Sequence, residues 1–150
     1  MAEEGPFITV GVDGSAASDE ALRWAVRQAE LTGARVKAVV AWQVPASVYG
    51  PVPVLGGYDY PGNAKRVLDA ALDRVVGETA RVEVVPVVVE GPPGKELLLA
   101  AEGGDLLVVG SRGHGAFAGM LLGSVSEQCV SHAHCPVVVV HHSQPGRRAG

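Results

Sequence analysis

The chain has 150 residues, 47% hydrophobic and 19% charged, with a formal net charge of −4. A chain of this size buries roughly 70% of its unfolded surface, and this composition is that of a globular chain rather than a disordered one. The acidic balance, with Arg147–Arg148 the one basic cluster, argues against a nucleic-acid duplex as partner. No apolar run approaches the ~20 residues of a membrane helix. Met1–Pro6 is acidic and lacks a signal-peptide pattern, so the expected location is the cytoplasm. Cys129 and Cys135 suit reduced thiols there.

Residues 1–6 read as a loose tail. Phe7–Val12 is apolar and rich in β-branched residues, which predicts a central strand covered on both faces. From Ala17 to Leu31 the period becomes helical, with Ala21, Leu22, Ala25 and Ala29 on one stripe and Gly33 as the stop. Val36–Trp42 is a second strand. Residues 43–62 hold Pro45, Pro51, Pro53 and Pro61 beside four glycines, a density that predicts a loop. Tyr49, Tyr58 and Tyr60 give that loop the character of a contact surface or of a mobile insertion.

Asn63–Thr79 is an amphipathic helix with Leu68, Ala71, Leu72 and Val75 on its apolar side. Val82–Val89 is a strand whose Pro86 removes a ladder donor and so predicts a sheet edge. A short helix over Gly94–Glu102 leads to a fourth strand, Asp105–Gly110. Ser124–Ala133 is the last helix, Pro136–His141 the last strand, and 143–150 a polar tail.

This alternation predicts an α/β fold. It is an open five-stranded parallel sheet with helices on both faces and right-handed crossovers, in a single domain over 1–150. Ligands of such sheets bind at the carboxyl ends of the strands, where the strand order reverses. The loop Asp13-Gly14-Ser15 and the loop from Gly110 onward are expected to meet there.

The second of these loops is the most informative stretch. Gly110–Ser126 reads GSRGHGAFAGMLLGSVS, a glycine-rich connection that ends in two hydroxyls at a helix start. Glycine lets the backbone approach an anion, and open amides at a helix N-terminus attract one. A P-loop needs a lysine that is absent here, and the dinucleotide fingerprint belongs after the first strand. Ser124 and Glu127 have the spacing of a capping box. Gly91-Pro92-Pro93-Gly94-Lys95 continues to Glu96 where a P-loop needs Ser or Thr, so it reads as a turn. Cys129, His132, His134 and Cys135 have zinc-like spacing, but Cys129 shares a stripe with Val125, Val130 and Ala133 that suits a buried core thiol. No catalytic set is visible. A general base for nucleotide turnover is offered only by Asp13, His114 and Glu127.

Gly110-Ser111-Arg112-Gly113, the nine-residue spacer, and Gly123-Ser124-Val125-Ser126 resemble the ATP-binding motif of the universal stress protein family. Val10–Ser15 is similar to that family's opening strand and turn, Leu106–Gly110 to its fourth strand, and His132–Val137 to the approach to its last strand. The resemblance implies a Rossmann-like sheet of the adenine-nucleotide alpha hydrolase type. It also implies a homodimer through the C-terminal strand, Pro136–His141, and ATP between the first and fourth strand loops; a triphosphate is chemically expected to carry Mg2+. Carried over by position, Gly11, Asp13, Gly14 and Ser15 would line the nucleoside side, and Val40 and Ala41 would present backbone groups to adenine. Gly110, Ser111, Arg112, Gly113, His114 and Gly115 would wrap ribose and phosphates. Gly123, Ser124, Val125 and Ser126 would bind phosphates through amides and hydroxyls. The implied role is a nucleotide-dependent regulatory protein in the stress response, with a possible protein partner. The alternative is a slow ATPase or phosphotransferase using the same site.

Overall fold

The structure, a computed structural model, describes residues 5–44, 46–47, 50–51, 59–78, 80–113 and 122–142. In chain order the elements are β1 (Phe7–Gly11), α1 (Ala16–Thr32), β2 (Arg35–Trp42), α2 (Tyr60–Val75), β3 (Val84–Glu90), α3 (Pro93–Ala100), β4 (Leu106–Gly110), α4 (Ser124–His132) and β5 (Val137–Val140). The five strands form one parallel sheet in the order β3-β2-β1-β4-β5. The order runs outward from β1 to β2 and β3, then reverses to β4 and β5. The switch point therefore lies between β1 and β4.

Strand alternation divides the interior into two layers. Ile8, Val10, Val36, Ala38, Val40 and Val108 pack against α1 and α2. Val39, Leu107 and Val109 face the other way, against Leu97 of α3 and Cys129 of α4. Ala21, Leu22, Ala25 and Ala29 are the fully buried stripe of α1. Gly33 ends that helix at φ 79° and donates its N–H to Ala29 O. Arg74 of α2 clamps Asp19 of α1 through Nε and Nη2 at 3.0 and 3.1 Å. On the α3 side, Lys37 Nζ lies 4.0 Å from the centre of the Phe7 ring and donates to Ala100 O at 3.0 Å, placing a cation at the C-terminus of α3.

Pro86 sits on β3, an edge strand, as its missing donor requires. Two local expectations change. The helix expected from Asn63 starts at Tyr60, because Pro61 stands in its first turn, where proline is favoured, and Asp59 caps it by accepting from Gly62 N at 2.9 Å. Part of the expected 43–62 loop forms a short antiparallel pair, Ala46–Ser47 with Gly50–Pro51. Tyr49 and Tyr58 lie outside the described residues, whereas Tyr60 stacks on Trp42 with ring centres 6.5 Å apart.

Cys129 belongs to the core with Leu97 and Val109 and is fully buried. Val125 and Ala133 share its stripe, but Val130, one residue on, is turned away and 50% exposed. His132 and His134 are exposed, and His134 Nδ1 lies 2.8 Å from Glu102 Oε2. Among the described residues no three metal-ligating side chains gather, and none of their helices is long and apolar enough to cross a membrane.

Burial, assisted by repulsion from the charge of a Cys135 thiolate, pushes the Cys129 thiol up to about 11. In the unfolded chain it ionises lower, so the folded state loses stability as pH rises from about 9 to 11 and keeps it below that window. The loss by pH 11 is expected to be roughly 2 kcal/mol. Denaturant melts of the native chain and of Cys129→Ala across this range check it. The native chain should show the steeper decline, and parallel curves would contradict the assignment.

Candidate functional site

β1 ends at Gly11, and Val12 N donates to Val39 O at 2.8 Å, which holds the outgoing loop against β2. The chain then turns through Gly14 at φ 83°, a conformation that favours glycine. Asp13 Oδ1 accepts from Ser15 N at 2.9 Å, closing an Asx turn. Ser15 caps α1 by accepting from Ser18 N at 3.2 Å. Ser18 Oγ in turn donates to Ser15 O at 3.1 Å and accepts from Asp13 N at 3.2 Å. The loop is thus satisfied internally, and Asp13 shapes it as well as lining the site.

β4 ends at Gly110. A Cβ there would sit 2.8 Å from the Ala17 carbonyl carbon, so glycine is what lets β4 approach the start of α1. Ser111 is the knot that follows. Its N–H donates to Val140 O at 2.9 Å, and its carbonyl accepts from Gly123 N at 2.7 Å and from Ser126 Oγ at 2.9 Å. Ser126 Oγ also lies 3.1 Å from Gly123 O. These bonds bring the N-terminus of α4 back to the end of β4.

α4 is capped by Gly123 in an extended conformation, with no side-chain bond. The capping box expected from Ser124 and Glu127 is therefore absent. Ser124 is already the first helical residue, so Glu127 falls one position too late. The first intrahelical bond is Glu127 N to Gly123 O at 3.0 Å. The amides of Ser124, Val125 and Ser126 precede it and are the donors that a helix start leaves open.

Between these loops lies a cavity of about 310 Å³. Gly11, Asp13, Ser15, Ala41, Gly110, Arg112, Gly113, Gly123, Ser124, Val125 and Ser126 all line it, as the sequence expectation has them. Three expected residues do not. Val40 faces the α1–α2 layer, and by alternation Val39 takes its place on the wall. Gly14 is the apex of its turn, and Ser111 is buried in its own hydrogen bonds. His114 and Gly115 lie outside the described residues.

The sequence reading missed Ser18, and also Pro93 and Leu97 of α3. The Pro-Pro-Gly turn that reads as mere punctuation delivers the start of α3 to the rim. The available signal was the period of β1 and β2, which sends Gly11 and Val39 to the α3 side. A Cβ at Gly11 would meet Leu97 Cδ1 at 2.8 Å.

The cavity is therefore two-ended. Val39, Ala41, Pro93, Leu97 and Val109 make an apolar wall. The N-termini of α1 and α4, Arg112 and the serines make a polar, electropositive one, with Asp13 as the lining carboxylate. The Asp13 carboxylate also closes on Gly113, at which a Cβ would have to push Oδ2 aside, so glycine lets the two loops meet with the carboxylate in this position.

The model of the universal stress protein family matches residues 7–141. Universal stress protein Rv2623 of Mycobacterium tuberculosis is 35% identical over 91% of this chain, and this chain spans 45% of its length. The chain thus covers about half the length of the mycobacterial relatives it matches. A universal stress protein of Thermus aquaticus is 36% identical over 89% of this chain and 96% of its own length. A universal stress protein solved in complex with cAMP is 30% identical, with a TM-score of 0.68, over 92% of this chain and 98% of that one. Matched by the family model over residues 7–141, by sequence to a full-length relative and by fold to a solved one, the chain belongs to the universal stress protein family.

Proposed function

We propose that the chain is an ATP-binding regulatory protein of the stress response, working in the cytoplasm as a homodimer. The observation that carries this reading is the two-ended cavity at the β1–β4 switch point. Its apolar wall suits a purine, and the open amides of Ser124, Val125 and Ser126 suit phosphate oxygens. Arg112 adds a cation on the phosphate side. The carboxylate of Asp13 is the wall group that fits a Mg2+ ion carried by the triphosphate. The relative solved with cAMP supports an adenine nucleotide as the ligand class.

The hydroxyl of Ser126 has a different part in this reading. Its proton is committed to the Ser111 and Gly123 carbonyls, so it shapes the cradle while its amide serves the ligand. Asp13 is the one carboxylate among the described lining residues, and its Oδ1 is bound to Ser15 N. That arrangement suits holding a nucleotide better than activating water against one, so signalling by occupancy is preferred to turnover.

The dimer reading rests on β5, an edge strand of four valines. The carbonyls of Pro136 and Val140 accept from Leu107 N and Ser111 N of the β4 side. By alternation Val137 and Val139 turn their backbone groups outward, where a second copy can add its strand.

Ser124→Glu separates binding from folding. A carboxylate in the first helical turn favours the helix by about 0.3–1 kcal/mol, but it places a like charge in the phosphate cradle. Calorimetric titration should show ATP affinity reduced about tenfold or more, with thermal stability unchanged or raised. Unchanged affinity would sink the site assignment. For the interface, Val139→Pro removes an outward N–H while sparing the bonds to β4. Light scattering should report monomers with the native circular dichroism spectrum, and a persistent dimer would put the interface elsewhere.

A further inference from the structure

A second cavity, of about 390 Å³, opens at the opposite end of the sheet. It lies between the end of α1, the start of β2 and the segment that leads into β3. Glu30, Ala34, Arg35, Arg81, Val82 and Glu83 are among its lining residues. We propose that it is a binding site for a small zwitterion of the α-amino-acid type.

The backbone around it is fixed. Arg35 N donates to Pro6 O at 3.1 Å, and Val36 N to Glu83 O at 2.9 Å, so the two strand starts hold Arg35 and Glu83 at a set separation. Arg35 Nε is buried and has no hydrogen-bond partner. An unsatisfied buried donor costs on the order of 1–3 kcal/mol, so a ligand that draws the guanidinium into the cavity and gives Nε an acceptor recovers that cost. A guanidinium is built to take a carboxylate in two parallel bonds.

The charge pattern decides what kind of ligand fits. Arg35 and Arg81 face the cavity together with Glu30 and Glu83. The ion pairs among the described residues are Arg23–Glu20, Lys65–Asp69, Arg74–Asp19 and His134–Glu102, so none of these four charges is spent on another. The C-terminal end of α1 adds a negative pole, and its last turn carries no basic residue to neutralise it. A phosphate dianion meets two repelling glutamates. A simple carboxylate leaves both glutamates and the helix end unanswered, and a simple amine leaves both arginines so. A molecule with a carboxylate at one end and an ammonium at the other answers every charge. The small side chains of Ala34 and Val82 leave room for its substituent.

The test is a nitrogen-15 NMR titration of the whole chain. The probes are the proteinogenic α-amino acids, with acetate, ethylammonium and inorganic phosphate as single-charge controls. At least one amino acid is expected to shift the Ala34 and Val82 amides saturably, about tenfold more tightly than any control. Arg35→Gln should weaken that binding about tenfold. Glu30→Gln, on an exposed side chain that leaves folding intact, should weaken it as well. ATP affinity should not move in either variant, which keeps this site separable from the nucleotide cavity. The proposal is overturned if no amino acid gives a saturable shift, if phosphate or acetate binds as tightly, or if Glu30→Gln binds as the native chain does.

Discussion

The carbonyl of Ser111 is the point on which the site depends. It is the first residue past β4, and it accepts from the cap amide of α4 and from the Ser126 hydroxyl. Its own N–H is bound to Val140 O of β5. A residue tied to the sheet through its N–H and to a helix start through its C=O transmits the rigidity of the sheet to the helix. Three amides at the start of α4 are thereby held at the mouth of the switch point with no side-chain cap competing for them. Preorganisation of this kind lets a helix terminus bind an anion without first ordering a loop.

The opposite half of the cavity is built by different means. There the loop after β1 satisfies itself, Asp13 with Ser15, Ser15 with Ser18 and Ser18 with Asp13. The two halves are brought together by absent side chains. Gly110 admits the start of α1, Gly11 admits Leu97, and Gly113 admits the Asp13 carboxylate. At Gly110 a methyl group would collide with backbone, and at Gly11 and Gly113 it would displace the Leu97 and Asp13 side chains, so the glycines serve as spacers for close approach. One polar half and one apolar half then follow from the parallel sheet itself. Helix N-termini lie at the carboxyl ends of its strands, and side chains that point toward α3 are apolar.

Much of this was legible in the sequence. The unbroken apolar runs at Phe7–Val12 and Leu106–Val109 identify central strands, and Pro86 identifies an edge. The spacing from Gly110 to Ser126 points to two loop ends that meet, and both line one cavity. What escaped is what depends on register and on long-range contact. The side chain of Val39 stands on the cavity wall because β2 alternates, whereas Val40, named for its backbone groups, turns its side chain to the other layer. The role of α3 depends on how it packs over Gly11, to which its own sequence gives no clue. The capping box at Ser124 failed because two spacings one residue apart look alike until the cap is seen. Pro61 read as a breaker because proline marks both the end of regular structure and the beginning of a helix.

The central claim is that this chain holds an adenine nucleotide between the Asp13 turn and the start of α4. Mass spectrometry of the purified native protein, followed by identification of whatever acid denaturation releases, tests it most directly. The account predicts an adenine nucleotide bound to the native chain, or taken up when ATP and Mg2+ are added. A native chain that carries no nucleotide and takes up none on addition would contradict it.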